Sequence, residues 1–230
     1  MRVLVVAPHA DDEVLGVGGT IARRVAEGDD VTVAIMTGHG EHAHPLWGPE
    51  YWRRTRAEAA QALKILGARD LIFREIPAVG VSEQPLWQLN ATTKEVLDEA
   101  APEVLYVPFP FDIHRDHREI FHSFSVAWRP SSPVGRSVQE VYAYETQSET
   151  HWNAAYLEPG FLPNTWVDIG DYLEKKLAAL DCYESQIPEW PEARSRDAVM
   201  HLARWRGSQV SMTAAEAFVL VRKIDRSETR

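Results

Sequence analysis

Near the N-terminus, Val3-Leu4-Val5-Val6-Ala7 is an uninterrupted, β-branched apolar run that stops at Pro8 and opens onto His9-Ala10-Asp11-Asp12-Glu13. A run that is apolar at both odd and even positions has no wet face, which is how a strand of a helix-covered parallel sheet reads. In an open α/β sheet, ligands bind outside the carboxyl ends of the strands, where the strand order reverses. A histidine and three carboxylates at that end can therefore supply both metal ligands and a base. The same residues read equally as an acidic N-cap for the helix that starts between Glu13 and Gly18. Spacing alone does not separate the two readings. The second cluster, His114-Arg115-Asp116-His117, favours the first.

Strand and helix signals alternate along the rest of the chain. Strands are expected over 2–7, 31–36, 71–73, 104–107, 137–144 and 165–169. Helices are expected up to Glu27, over 51–66 (closed by Gly67), 87–100 (stopped by Pro102), 116–128, 171–185 and 192–205. Residues 214–221 fit either a helix or a strand. Alternation at this spacing implies an α/β fold: a single Rossmann-like, doubly wound, mostly parallel sheet with helices on both faces and right-handed crossovers. One domain over 1–230 suffices, with a core over 1–145 and an irregular, substrate-covering extension over about 146–230.

Composition narrows the function. A net charge of −10 with scattered Lys and Arg argues against phosphate-driven binding of nucleic acid. The single cysteine, Cys182, excludes an intramolecular disulfide and a cysteine-rich zinc site; it sits in a helical pattern as core filler. No apolar stretch is long enough to span a bilayer, and 3–7 is too short for a secretory signal core, so a cytoplasmic protein is expected.

The two clusters follow the first and fourth strands. With strand order 3-2-1-4-5 those strands are neighbours at the switch point, so the clusters face each other across one crevice. His9, Asp12 and His117 then form a two-imidazole, one-carboxylate set that leaves a position for water, as catalytic zinc sites do. Such a site acidifies water to near neutral pH. Asp11 is free to act as general base. A loop conformation at His114 would turn it inward to stabilise an oxyanion, with Asp116 holding it as imidazolium. Iron(II), manganese and cobalt also suit this donor set.

These motifs resemble the two signatures of the PIG-L/LmbE-like zinc-dependent N-deacetylases, a His-Pro-Asp-Asp-Glu followed by a later His-x-Asp-His. The resemblance extends through Leu15-Gly16, Gly18-Gly19-Thr20, Thr37-Gly38, Leu66-Gly67, Tyr144-Glu145, Lys176, Ser185-Gln186, Arg206-Gly207 and Ala215-Glu216-Ala217-Phe218. Ala10 departs from the usual Pro, which loosens the backbone without removing a functional group. The resemblance implies one Zn2+ on His9, Asp12 and His117, with Asp11 as base and His114, oriented by Asp116, stabilising the tetrahedral intermediate. It implies hydrolysis of an acetamide on an N-acetyl amino sugar or glycoconjugate, and self-association into a homo-oligomer. An arginine of the second helix would meet substrate; Arg53, Arg54 and Arg56 compete, and Arg56 is the choice. Glu145 reads as a supporting or substrate contact or as a solvated carboxylate.

Other features have plainer readings. His39, His42 and His44 share a Gly/Pro-containing loop and read as a rim rather than a second metal site. Most of the eight tryptophans read as core, while Trp47 or Trp152 could stack on a sugar. The Gly16-Val17-Gly18-Gly19 run fails as a dinucleotide site because the preceding carboxylates would repel a pyrophosphate. Two other functions compete with deacetylation: a metal-dependent phosphoesterase, and a non-catalytic sugar-binding module on the same fold.

Overall fold

The computed structural model describes residues 1–40 and 43–225. The apolar runs form β1 (Arg2–Ala7), β2 (Asp30–Gly38), β3 (Asp70–Pro77), β4 (Val104–Pro108) and β5 (Glu140–Tyr144), all mutually parallel. β6 (Thr165–Asp168) and the stretch left open between helix and strand, β7 (Ala215–Lys223), complete the sheet. The order is β3-β2-β1-β4-β5-β7-β6, with β7 antiparallel to both its neighbours. The 3-2-1-4-5 half is as expected. Beyond residue 145 the chain adds two strands to the same sheet.

Helices cover both faces because β1 is apolar on both. Val3, Val5 and Ala7 pack in one cluster with residues of α1 (Asp12–Ala26), α2 (Pro49–Leu66), α6 (Leu173–Leu180) and α7 (Arg196–Ser208). Leu4 and Val6 pack on the other face against α3 (Leu86–Ala100) and α4 (Arg115–Ala127). The expected helix over 171–185 is cut to α6, because the chain turns after Leu180 to bury Tyr183, whose hydroxyl bonds Glu13. The next helix starts at Arg196 rather than 192, where Ser195 caps it by accepting from the Ala198 N–H. One-turn α5 (Gln147–Thr150) had no periodic signal in sequence. No helix among the described residues is long and apolar enough to cross a membrane.

The glycines of α1 serve packing. A Cβ at Gly19 would lie 2.7 Å from Ile169 Cδ1, and one at Gly16 would enter the Tyr144 ring. Beside these glycines a buried ion pair presses on the helix: Lys176 Nζ donates to Leu15 O (2.8 Å) and to Glu216 Oε1 (2.6 Å). The Glu216 carboxylate accepts from the Gly19 and Thr20 N–H groups at 2.9 and 2.7 Å. In an unaided helix Leu15 O would be the acceptor for Gly19 N–H. α1 is thus gripped at its middle, two turns from the His-Asp-Asp loop.

Candidate active site

β1 and β4 lie side by side, so His9-Asp12 and His114-His117 leave adjacent strand ends and meet. The His9 ring centroid is 4.6 Å from that of His114 and 5.3 Å from that of His117. His114 is the N-cap of α4, with extended backbone, which is what turns it inward beside His117. Asp12 Oδ2 sits 3.3 Å from His9 Nδ1 and 3.2 Å from His117 Nε2. One ligand atom from each of His9, Asp12 and His117 lies within 4.8 Å of the others. His117 Nε2 is buried without a hydrogen bond, so its approach to Asp12 is not a donor–acceptor geometry. A convergent donor set with an orphaned imidazole nitrogen fits a divalent cation.

Each imidazole is held from behind by a carboxylate. His117 Nδ1 lies 2.8 Å from Asp112 Oδ2, and Thr150 Oγ1 donates to Asp112 Oδ1 at 2.6 Å. His9 Nε2 lies 3.0 Å from Asp116 Oδ2. Such partners fix the ring and direct its other nitrogen at a metal. Asp112 was not singled out in the sequence; its only signal there was proximity to the second cluster. Asp116 corrects an expectation: its carboxylate serves His9 and accepts from the Val79 N–H at 2.6 Å, while His114 Nδ1 stands 4.0 Å off. His114 Nδ1 instead accepts from the Asp116 backbone N–H at 3.1 Å, which leaves the proton on Nε2. Burial and the neighbouring His9 lower the His114 pKa, so it stands as a neutral donor, not as the imidazolium the sequence suggested.

The site is short of positive charge. Asp11, Asp12, Glu13, Asp112 and Asp116 are all buried. Burial, with the charge of Asp12 added, pushes the Asp11 carboxyl well above the carboxylate range, against Arg194, whose Nη1 lies 3.2 Å from Asp11 Oδ2. Burial also lifts Glu13 to about 7. Burial works against charge on His9, but hydrogen bonds to Asp116 and Asp12 outweigh it and raise its pKa to about 9. Buried Asp12 is nonetheless held low by His117 and His9. Protons are drawn to the place where a cation would be neutralised.

A cavity of about 280 Å³ opens on this cluster, lined by His9, Asp11, Asp12 and His114 and reaching Arg56 and Trp47. Arg56 does line it, paired with Glu75, whereas Arg54 binds Glu58 (2.9 Å) and Arg53 binds Glu50. Glu145 is neither solvated nor at the cavity; it is buried on Arg206, with Nε–Oε1 at 2.7 Å, and on His151 at 2.7 Å. Trp47 lines the cavity, together with Tyr51 and with Trp52, which was expected among the core tryptophans, and Trp152 lies outside it, 61% exposed. His42 lies outside the described residues. Among those described, His39 and His44 join no group able to hold a metal; His44 Nε2 bonds Ala78 O at 2.9 Å.

The family model described as PIG-L: GlcNAc-PI de-N-acetylase matches residues 4–128, more than half of the chain. The chain is 28% identical over 208 residues to a diacetylchitobiose deacetylase of Thermococcus kodakarensis, covering 82% of this chain and 71% of that one. It is 29% identical over 236 residues to a 1D-myo-inositol 2-acetamido-2-deoxy-alpha-D-glucopyranoside deacetylase of Actinosynnema mirum, covering 83% and 82%. Among solved structures it is similar to the 4-carboxy-2-hydroxymuconate hydratase of Pseudomonas putida, with TM-score 0.77 and 22% identity over 100% of both chains. That last likeness is one of fold, and it shows the fold carrying a second chemistry.

Proposed function

Because the chain belongs to the PIG-L family of GlcNAc-PI de-N-acetylases, we propose that it hydrolyses the acetamide of an N-acetylglucosamine-type sugar or glycoconjugate, giving acetate and a free amine. The observation that supports this best is the convergence of His9, Asp12 and the buried His117, with His9, Asp12 and the neighbouring Asp11 lining the cavity. His9, Asp12 and His117 would hold one Zn2+, which when bound supplies Lewis acidity and an acidified water. Asp11 lies in the same turn, and its carboxyl, pushed up by burial and by the charge of Asp12, is placed to take up and return a proton. It takes the proton of the attacking water and passes it to the departing nitrogen. His114 Nε2–H donates to the carbonyl oxygen as negative charge develops there, an oxyanion contact set by the backbone N–H on its other nitrogen. Asp112 and Asp116 keep His117 and His9 in place. Arg56 borders the substrate. A cytoplasmic setting accords with the lone cysteine, and self-association belongs to the same reading.

A phosphoesterase would want free cations around the transferring group. Here Arg56 is matched by Glu75 and Arg194 by Asp11. The test is acetate release from N-acetylglucosamine and diacetylchitobiose by the zinc-loaded chain beside Asp11→Ala. Acetate from the native chain, a fall of about 10²- to 10⁴-fold in the variant and unchanged metal content are expected. Phosphate release from phosphomonoesters, or water addition to a carboxy-hydroxymuconate without acetate release from any acetamide, would overturn the reading. Equal turnover by both proteins would remove Asp11 from the role of base.

A further inference from the structure

Building on the deacetylase reading, we propose that the cavity selects an amino sugar whose aglycone is an aromatic or other flat apolar group, rather than a second hydroxyl-rich sugar or polyol. The cavity has two chemically different ends. The reacting end sits on β1 and β4, with His9, Asp11, Asp12 and His114. The other end sits on β2, β3 and α2, where Ile35, Phe73, Tyr51 and Trp52 line it together with Trp47. β3 is two strands from β1 in the sheet, about 10 Å at the usual strand spacing. That is the length of one pyranose ring with its acetamide, so whatever the sugar carries reaches the aromatic end.

Most polar side chains at that end are already engaged within the protein, the buried Trp52 Nε1 being without a partner. Thr37 Oγ1 donates to Pro8 O at 2.7 Å and Thr55 Oγ1 to Trp52 O at 3.3 Å. The Tyr51 hydroxyl donates to Gln186 Oε1 at 3.3 Å. Arg56 is matched by Glu75, and its guanidinium carbon lies 4.9 Å over the Phe73 ring, covering a face rather than offering a free charge. A second sugar or polyol would surrender the water on several hydroxyls here and find little beyond the one Trp52 N–H to replace it. A flat apolar group would instead displace water from aromatic surface. The rings are already set against one another: Trp47 and Tyr51 stack at 5.3 Å, and Trp52 stands edge-on to both at 5.8 and 5.0 Å. His44 stacks on Trp47 at 4.9 Å and anchors it through Ala78. Little side-chain freedom is left to lose on binding.

The test compares phenyl N-acetyl-β-glucosaminide with diacetylchitobiose on the zinc-loaded full-length protein. The expected kcat/KM ratio favours the phenyl glycoside by about 10-fold or more, a difference apolar pockets can supply. Trp47→Ala and Trp52→Leu are expected to bring that ratio toward one. Calorimetric titration of the zinc-loaded Asp11→Ala protein with both compounds gives the same comparison without turnover. Tighter phenyl-glycoside binding with no acetate from either compound or from any other acetamide would uphold the aromatic subsite and sink the deacetylase reading. Acetate from both, with diacetylchitobiose equal or preferred, would overturn the subsite and leave the deacetylase standing.

Discussion

Asp11 adopts φ 133° and ψ −28°, a backbone conformation that a residue with a Cβ rarely takes. Its surroundings over-determine it. Its N–H bonds Glu13 Oε2 at 3.2 Å, its C=O accepts from the Val14 and Leu15 N–H groups at 3.0 and 2.9 Å, and Arg194 holds its carboxylate. The strain sets the carboxylate apart from Asp12 although the two are consecutive. Asp11→Gly should therefore be more stable than Asp11→Ala by about 1 kcal/mol, about 2–4 °C in melting temperature for a chain of this size. Calorimetry on the two inactive variants checks this, and equal stabilities would mean that the backbone is unstrained. Asp112 makes a second prediction at this scale. Asp112→Ala removes the acceptor behind His117 and should weaken metal binding about 10- to 100-fold, read by competition with a chromophoric chelator. His9, Asp11, Asp12 and His117 were legible in sequence because each cluster is contiguous. Asp112 and Arg194 were not, because a partner met only in space leaves no periodicity.

At the scale of the element, α1 is the part whose sequence and structure say different things. Its glycines lower helix propensity, and in sequence they invite a dinucleotide-site reading. In the fold they let Tyr144 and Ile169 approach and expose backbone to the Lys176–Glu216 pair. Both charged side chains are buried, at 4% and 5% exposure, so each is tolerable only because of the other. Lys176→Met leaves Glu216 buried and unpaired and should cost about 3–5 kcal/mol. The double variant Lys176→Met/Glu216→Gln should cost less than the sum of the two singles, because no lone charge remains. Denaturant unfolding of the four proteins tests this, and strict additivity would show that the pair does not act as a unit. The ion pair joins α6 to α1 across 161 residues of sequence and β7 to α1 across 197, and the Tyr183–Glu13 bond from just beyond α6 spans 170. Helix boundaries that moved from their expected places, at Leu180 and Ser195, moved for the same cause: a side chain drawn into a distant partner overrides local periodicity.

For the molecule as a whole, acid should act first through buried and partly buried ion pairs. Burial raises the Glu145 pKa, but hydrogen bonds from His151 and Arg206 outweigh it and hold it below the carboxylate range. A depressed folded pKa means that Glu145 stabilises the fold above its unfolded value, about 4.3 for a glutamate. That contribution is lost as pH falls through the folded value. Asp29, beside the N-terminal ammonium and Arg24, and Glu140, beside Lys223, are held low against burial in the same direction. Glu145→Gln should cost about 3 kcal/mol near neutral pH, because it leaves Arg206 buried without a charge partner. The gap to the native chain should close as pH falls below about 4. Unfolding curves in chelator across that range decide it; a gap independent of pH would rule out the carboxylate charge as its source.

The sequence alone determined the alternation of buried strands with amphipathic helices, and through the handedness of crossovers the 3-2-1-4-5 half of the sheet. It thereby determined that two distant clusters face one crevice. Those inferences rest on periodicity and chain continuity, which local sequence records. Tertiary structure alone decided that residues 215–223 form an antiparallel strand between β5 and β6, that Asp116 serves His9 and Asp112 serves His117, and that Glu145 belongs to a buried ion pair rather than to the cavity. It also gathered Trp47, Tyr51, Trp52 and Phe73 into one wall. Each of these is a choice among partners far apart in the chain, made by burial and charge pairing once the sheet has closed around them.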